Sequence, residues 1–275
     1  MKSRSLQSKL FFAYISLACL ILFSFAVFFY AFVSRQLKQS QISAMNTLNS
    51  SFQTQVDSAI RNLDAVSVNI NYSNQSKTIL DNSFNLNISS NMLSAMSDLF
   101  ISLSGTELKA DQVNLYDFSG YVLEAGISTI VKKTDGSKDE WIEVARELEG
   151  KKVLTPPYCT REYTKTATYD QWFISLYRSF NNQYKRGVGV IETAKQCKSV
   201  FKSIITYKKK NHEDAASIYV FDSNGDLIYP YDISQEYKAA LQPYYELTKG
   251  DDSALTFISP LTVSYTHLTL PTTSR

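Results

Sequence analysis

Between Trp141 and Arg178 the chain concentrates side chains suited to holding a small polar molecule: Tyr158, Arg161, Tyr163, Tyr169, Asp170, Trp172 and Tyr177 all fall there. Aromatic faces can stack on a sugar ring, and a carboxylate beside a guanidinium can hydrogen-bond the hydroxyls of a sugar or of another polar small molecule. Trp141, Tyr158, Arg161, Tyr169, Asp170, Trp172 and Arg178 are therefore the candidate ligand-binding residues. Core packing is the competing reading. Trp172, Ile174 and Leu176 alternate along one strand face, Trp141 sits on an apolar helix face, and Arg178 ends the strand face either by entering a pocket or by snorkelling outward.

Catalysis has less to stand on. The histidines are His212, beside a lysine run, and His267 near the C-terminus, and neither has the neighbours a triad or a metal site needs. Asp222-Ser223-Asn224-Gly225-Asp226 superficially looks like a calcium loop, but its glycine comes early and no Glu closes the loop, so a turn centred on Asn224-Gly225 is expected. No cofactor and no metal are expected, and this chain reads as a non-enzyme. Cys159 and Cys197 both lie where a disulfide is permitted, although Cys197 falls on the apolar face of a helix. The formal net charge of +2 is spread through the chain apart from Lys208-Lys209-Lys210, which excludes a nucleic-acid partner.

Positioning those side chains requires several elements. Ile42, Met45, Leu48, Phe52, Val56, Ile60, Leu63, Val66 and Ile70 recur at steps of three and four, which predicts one long amphipathic helix. Its stripe suits a homodimer seam or packing on its own domain. A second helix is expected near Ser90–Leu103, stopped by Gly105. Asp117-Phe118-Ser119-Gly120 reads as a hairpin turn. Ser137 is the expected N-cap of a helix bearing Trp141, with Glu140 completing a capping box. Strands are expected around Thr166–Tyr169, Trp172–Phe180 and Gly187–Glu192, with a turn at Asn181-Asn182-Gln183. A helix over Lys195–Lys208 follows, then a hairpin of Ala216–Phe221 with Leu227–Tyr231, a helix near Gln235–Leu247 and a strand near Ala254–Ser259. This order predicts an α+β chain with two tandem modules.

Ahead of these lies Leu10–Val33, which carries no charged residue. At 1.5 Å per residue it reaches roughly 36 Å, enough to cross a hydrocarbon core of about 30 Å. A cleaved signal would have a shorter apolar region and a small-residue cleavage site outside it, so an uncleaved anchor in the lipid bilayer is expected. Lys2, Arg4 and Lys9 before it outnumber Arg35 and Lys38 after it, which favours a cytoplasmic N-terminus and an extracellular bulk.

The arrangement resembles the double-Cache extracytoplasmic sensor domain of bacterial transmembrane receptors. The resembling features are the anchor and long helix, the Trp141 helix, Leu154-Thr155-Pro156-Pro157-Tyr158, and Phe173-Ile174-Ser175-Leu176-Tyr177-Arg178 followed by Gly187-Val188-Gly189-Val190-Ile191-Glu192. The hairpin from Ile218 to Ile228 is similar to the opening of a second, membrane-proximal module. The resemblance covers about Leu10 to Thr262 and is strongest to the branch on Gram-positive sensor histidine kinases associated with carbohydrate uptake. It implies two Cache (PAS-like) modules with antiparallel sheets, the second incomplete. The expected divisions are residues 1–9 in the cytoplasm, 10–33 across the membrane, 34–72 the long helix, 73–212 the distal module and 213–262 part of the proximal one. In amino-acid-binding members an Arg stands two residues before the Trp and an aromatic follows it. Here Asp139 and Ile142 hold those positions, which argues against a standard amino-acid sensor.

A back-translation of Val263–Thr272 resembles the transposase-end adapter of shotgun sequencing libraries, so residues 263–275 are read as translated adapter. A second membrane helix and a cytoplasmic output domain are then expected in the intact protein, and a response regulator would be a partner only through that missing part. The receptor reading competes with a membrane-anchored extracellular binding or adhesion protein, and a chemoreceptor or cyclic-dinucleotide enzyme could carry the same outer half.

Overall fold

The computed structural model describes residues 6–81, 90–105, 108–127, 129–160, 171–181, 187–211, 218–222, 225–248, 257–258 and 263–265. The first helix, α1 (Leu6–Tyr72), is followed by α2 (Asn74–Asp81) and α3 (Ser90–Ser104). The chain divides into a compact unit of residues 1–49 and a second of residues 50–275. Within the first, the stretch from Leu10 onward has a mean hydropathy of 2.5 over its most apolar window, long and apolar enough to cross a membrane, and none of that window is buried by protein. Apolar side chains on every face are what a lipid-facing helix needs.

The second unit is built on antiparallel sheets. Strands β1 (Gln112–Asp117), β2 (Tyr121–Gly126) and β3 (Val131–Lys133) lead into helix α4 (Asp139–Glu147). Then come β4 (Lys152–Leu154), β5 (Tyr158–Thr160), β6 (Gln171–Asn181) and β7 (Gly187–Gln196). They form one sheet in the order β3-β2-β1-β7-β6-β4, with β5 also pairing β6. The long central strands β6 and β7 are buried along most of their length because both of their faces are covered. Gly189 permits the β1 and β7 backbones to close up, since a Cβ there would collide with the Tyr116 carbonyl oxygen.

One face of this sheet packs on the Ser50–Tyr72 part of α1. Val56, Ile60, Leu63, Val66 and Ile70 are buried, as are Leu115, Leu123, Leu176 and Ile191. The other face carries α4. Beyond β7 come α5 (Cys197–Val200), α6 (Lys202–Asn211), β8 (Val220–Asp222), β9 (Leu227–Tyr229) and α7 (Gln235–Thr248), then β10 (Phe257–Ile258) and β11 (Val263–Tyr265). The last four strands form a second sheet in the order β10-β11-β8-β9. Strand β11 lies within the segment read as adapter, yet it pairs with β10 and β8; Val and Tyr favour strands whatever their origin.

Most sequence-derived elements are present, with three corrections. Ser137 does not cap α4: the N-cap is Lys138, without a side-chain cap hydrogen bond, and the Ser137 amide instead donates to Asp135 Oδ1 at 2.9 Å. The aspartate two residues back competes for the same donor and forms a turn. Lys195 and Gln196 belong to β7, and the helix begins at Cys197, because pairing with β6 continues through those two residues. The short elements α2, β3, β4 and β5 carry no period long enough to read. The pairing of Cys159 and Cys197, left open by the sequence, is resolved as two separate thiols, Cys159 exposed on β5 and Cys197 buried. Gly105 does stop α3, at φ 69°. The expected strand Thr166–Tyr169 and the turn residues Asn182 and Gln183 lie outside the described residues.

Candidate functional site

Glu192 is the centre of the α4-bearing face. It stands on β7 in phase with Val190 and Ala194, and it is fully buried. Its neighbour in register on β1 is Asn114 and on β6 is Tyr177. A carboxylate taken wholly out of water must be matched by donors and positive charge. Glu192 Oε2 accepts from Asn114 Nδ2 and from the Tyr116 hydroxyl, both at 2.7 Å, and from Lys138 Nζ at 3.1 Å. Its Oε1 accepts from Ser175 Oγ at 2.6 Å, from the Tyr158 hydroxyl at 3.0 Å and from Lys138 Nζ at 3.4 Å. Gln112 extends the network by donating to Asn114 Oδ1 at 3.0 Å.

Strand periodicity explains how so many donors converge. Gln112, Asn114 and Tyr116 occupy alternate positions of β1, and Phe173, Ser175 and Tyr177 alternate positions of β6, so each set shares the face of Glu192. Burial pushes the Glu192 carboxyl up. The Lys138 ammonium and the hydrogen bonds from Ser175, Tyr116 and Asn114 overcome that and pull it down to about 2. Burial, followed by the Glu192 charge, pushes the Tyr177 hydroxyl well above its usual range. The acid is thus ionised and the phenol neutral at physiological pH.

Two connections bring the remaining groups in. Pro156 and Pro157 cannot donate to the ladder, so the chain breaks from β6 between β4 and β5 and presents Tyr158 afresh. Thr155 holds the break in place: its amide donates to the Ser175 carbonyl at 2.8 Å, and its hydroxyl accepts from the Ser175 amide at 3.0 Å. On the other side, the turn Asp135-Gly136-Ser137 delivers Lys138 to the start of α4, where its Nζ lies 5.8 Å from the Tyr158 ring centre. Ser137, Lys138, Trp141, Thr155, Tyr158, Cys159, Thr160 and Tyr177 line a cavity of about 290 Å³. That is the size for a small polar molecule, near the lower end for ligand pockets.

Of the candidate ligand residues, Trp141 and Tyr158 meet in this cavity. Trp141 also packs against the cluster of Tyr116, Val122, Ile142, Ala145, Tyr177 and Val190. Trp172 and Arg178 occupy the opposite phase of β6. The Trp172 ring lies 5.8 Å from Tyr231, and Tyr231 stacks on Phe201 at 5.9 Å. Arg178 reaches α1: it donates to Asp64 Oδ1, to Ser67 Oγ at 3.1 Å and to the Gly150 carbonyl at 2.5 Å. Lys152 Nζ joins Asp64 Oδ2 at 2.7 Å. Arg161, Tyr169 and Asp170 lie outside the described residues. Sequence reasoning missed Glu192 and Lys138 as site residues. The available signal was a lone acid in phase with the apolar positions of Gly-Val-Gly-Val-Ile-Glu.

A second cavity, of about 260 Å³, opens on the α1 face between Val56, Ile60, β4, Ile174, Leu176, Asp222 and Ile228. Thr155 borders both cavities.

No protein-family model matches the sequence, and no curated protein matches it. Solved structures do. The sensory domain of the Campylobacter jejuni chemoreceptor Tlp3 with isoleucine bound superposes with a TM-score of 0.51 at 14% identity, over 83% of this chain and 87% of that one. The ligand-binding domain of the Pseudomonas aeruginosa amino-acid chemoreceptor PctC with GABA gives 0.51 at 8% identity, over 82% and 97%. The extracellular domain of vpHK1S-Z8, described as a histidine kinase, gives 0.51 at 12% identity, over 81% and 82%. At such identities the likeness is one of fold, and the fold is the α+β architecture of these sensory domains.

Proposed function

We propose that this chain is the ligand-sensing extracytoplasmic portion of a membrane signal-transduction receptor, with a two-component sensor histidine kinase as the parent. The observation that carries the reading is the cavity of about 290 Å³ between α4, β5 and the sheet, in a fold shared with chemoreceptor and histidine-kinase sensory domains. In this reading Leu10–Val33 anchors the chain with its N-terminus in the cytoplasm. Residues 73–212 are the membrane-distal Cache module, 213–262 are part of the proximal one, and the receptor works as a homodimer.

The ligand is a sugar. Five of the described lining residues, Ser137, Thr155, Tyr158, Thr160 and Tyr177, offer hydroxyls, and Trp141 and Tyr158 offer aromatic surface. Arg161, Tyr169 and Asp170 complete the proposed site. Occupancy acts on the Ser50–Tyr72 part of α1 through the segment Lys152–Tyr158, one end of which faces the ligand while Lys152 holds Asp64.

The test is thermal denaturation of the full chain in detergent with a panel of monosaccharides, disaccharides and sugar alcohols. A sugar that binds should raise the melting temperature by several degrees at saturating concentration. Trp141→Ala should abolish that rise, whereas Arg178→Ala should lower the baseline and leave the rise in place. If no sugar in the panel shifts the wild-type chain, the proposal fails.

A further inference from the structure

The lysine at the edge of the cavity is in a place that local helix physics disfavours. Lys138 is the N-cap of α4, where the positive end of the helix dipole repels a cation, and it makes no capping hydrogen bond. Ser137, one residue earlier, is the residue type a cap would use. Such a conflict between local preference and observed structure marks a position held by another demand. Here the demand is visible. The Lys138 ammonium touches both oxygens of Glu192 at 3.1 and 3.4 Å, and its side chain is only 11% exposed.

An ionised carboxylate has about four lone-pair positions for donors. Ser175, Tyr158, Asn114, Tyr116 and Lys138 between them supply six contacts to Glu192. No acceptor capacity is left for an incoming donor. The charge pairing, though not the full set of donors, recurs beside it: Glu124, also buried on this face, pairs with Lys132 at 2.9 Å. Lys132 lies in β3 and Lys138 at the start of α4, so the one segment of residues 132–138 carries the counter-charges for the two buried acids.

We propose that Lys138 is a resident ammonium, occupying on Glu192 the place that a ligand's ammonium would otherwise take, so that the cavity admits neutral polyhydroxy ligands and shuts out amines and amino acids. This rests on the reading that the Trp141 and Tyr158 cavity is the ligand site. Two effects act together. The acid that would reward an ammonium is already matched, and the lysine lining the cavity repels a second cation at close range. Sugars incur neither cost.

Chemical rescue tests it without knowing the natural ligand. Lys138→Ala in the full chain should melt lower than wild type and leave Glu192 without its counter-charge. Ethylammonium chloride, compared with sodium chloride at equal ionic strength, should then raise the melting temperature of Lys138→Ala by about 3 °C. It should not move the wild-type chain, Lys138→Arg, or the double variant Lys138→Ala with Glu192→Gln. Absence of rescue in a folded Lys138→Ala chain would overturn the proposal. A second measurement needs no lysine variant to fold: if any amino acid or alkylamine stabilised the wild-type chain, and Glu192→Gln removed that effect, the proposal would be wrong. Neither outcome depends on whether a sugar is found, so failure of the sugar-sensing reading stays separable from failure of this one.

Discussion

The two faces of the large sheet are each tied to a helix through acid and base, but on different terms. On the α4 face, Glu192 is fully buried and takes donors from three strands and from Lys138. On the α1 face, Asp64 is 26% exposed and receives Lys152 and Arg178 at the rim of an apolar layer. Asp64 can fall back on water, whereas Glu192 cannot. The Asp64 arrangement fastens a helix to the sheet, while the Glu192 arrangement fixes charge at the edge of a cavity.

The largest expected effect is on the buried side. Glu192→Ala strands a buried ammonium and several donors and should cost about 3–5 kcal/mol, measured by chemical denaturation. Asp64→Ala should cost about 1–2 kcal/mol, since hydration takes over part of the lost interaction. Equal losses would erase the distinction between the faces.

A pH titration sharpens the same contrast. The folded Glu192 carboxyl sits at about 2, below its ordinary value of 4.5. The stability it contributes is therefore fully present above about pH 4.5 and is lost as pH falls toward 2. Melting curves between pH 6 and about 3 should fall steeply for wild type and less steeply for Glu192→Gln. Parallel curves would remove Glu192 as the cause.

Smaller effects are expected at the cavity edge. Tyr158→Phe removes the hydroxyl that meets Ser175 at 2.7 Å and Glu192 at 3.0 Å, and should cost about 1 kcal/mol. The smallest is a labelling difference. Cys159 is exposed and lines the cavity, so a maleimide should modify it in the native chain and a bound sugar should slow the reaction. Burial pushes the Cys197 thiol up, and that residue should label only on unfolding. Equal labelling of both would contradict the described burial.

Much of the fold was legible because long elements carry a period. The stripe from Phe52 to Ile70 gave the buried face of α1, and the strand character of β6 and β7 was plain from their β-branched and aromatic residues. Strands of three residues carry no period, so β3, β4 and β5 went unread even though β5 delivers Tyr158. The site was legible only in part. Its aromatic members Trp141 and Tyr158 stood out by type, and Arg178 stood out equally although it serves α1.

Composition and periodicity alone determined the apolar helix, the long amphipathic helix and the α+β order, because those follow from spacing along one chain. The tertiary structure decided which face each residue of β6 presents, that Glu192 is the hub of a buried network, and that Lys138, next to a serine of the type that caps helices, is its counter-charge. Asn114, Tyr158, Ser175 and Glu192 come from four strands and Lys138 from the start of a helix, and only the sheet register and the placement of α4 bring them together. Such register is a property of paired strands, so reading one strand alone could not reveal it.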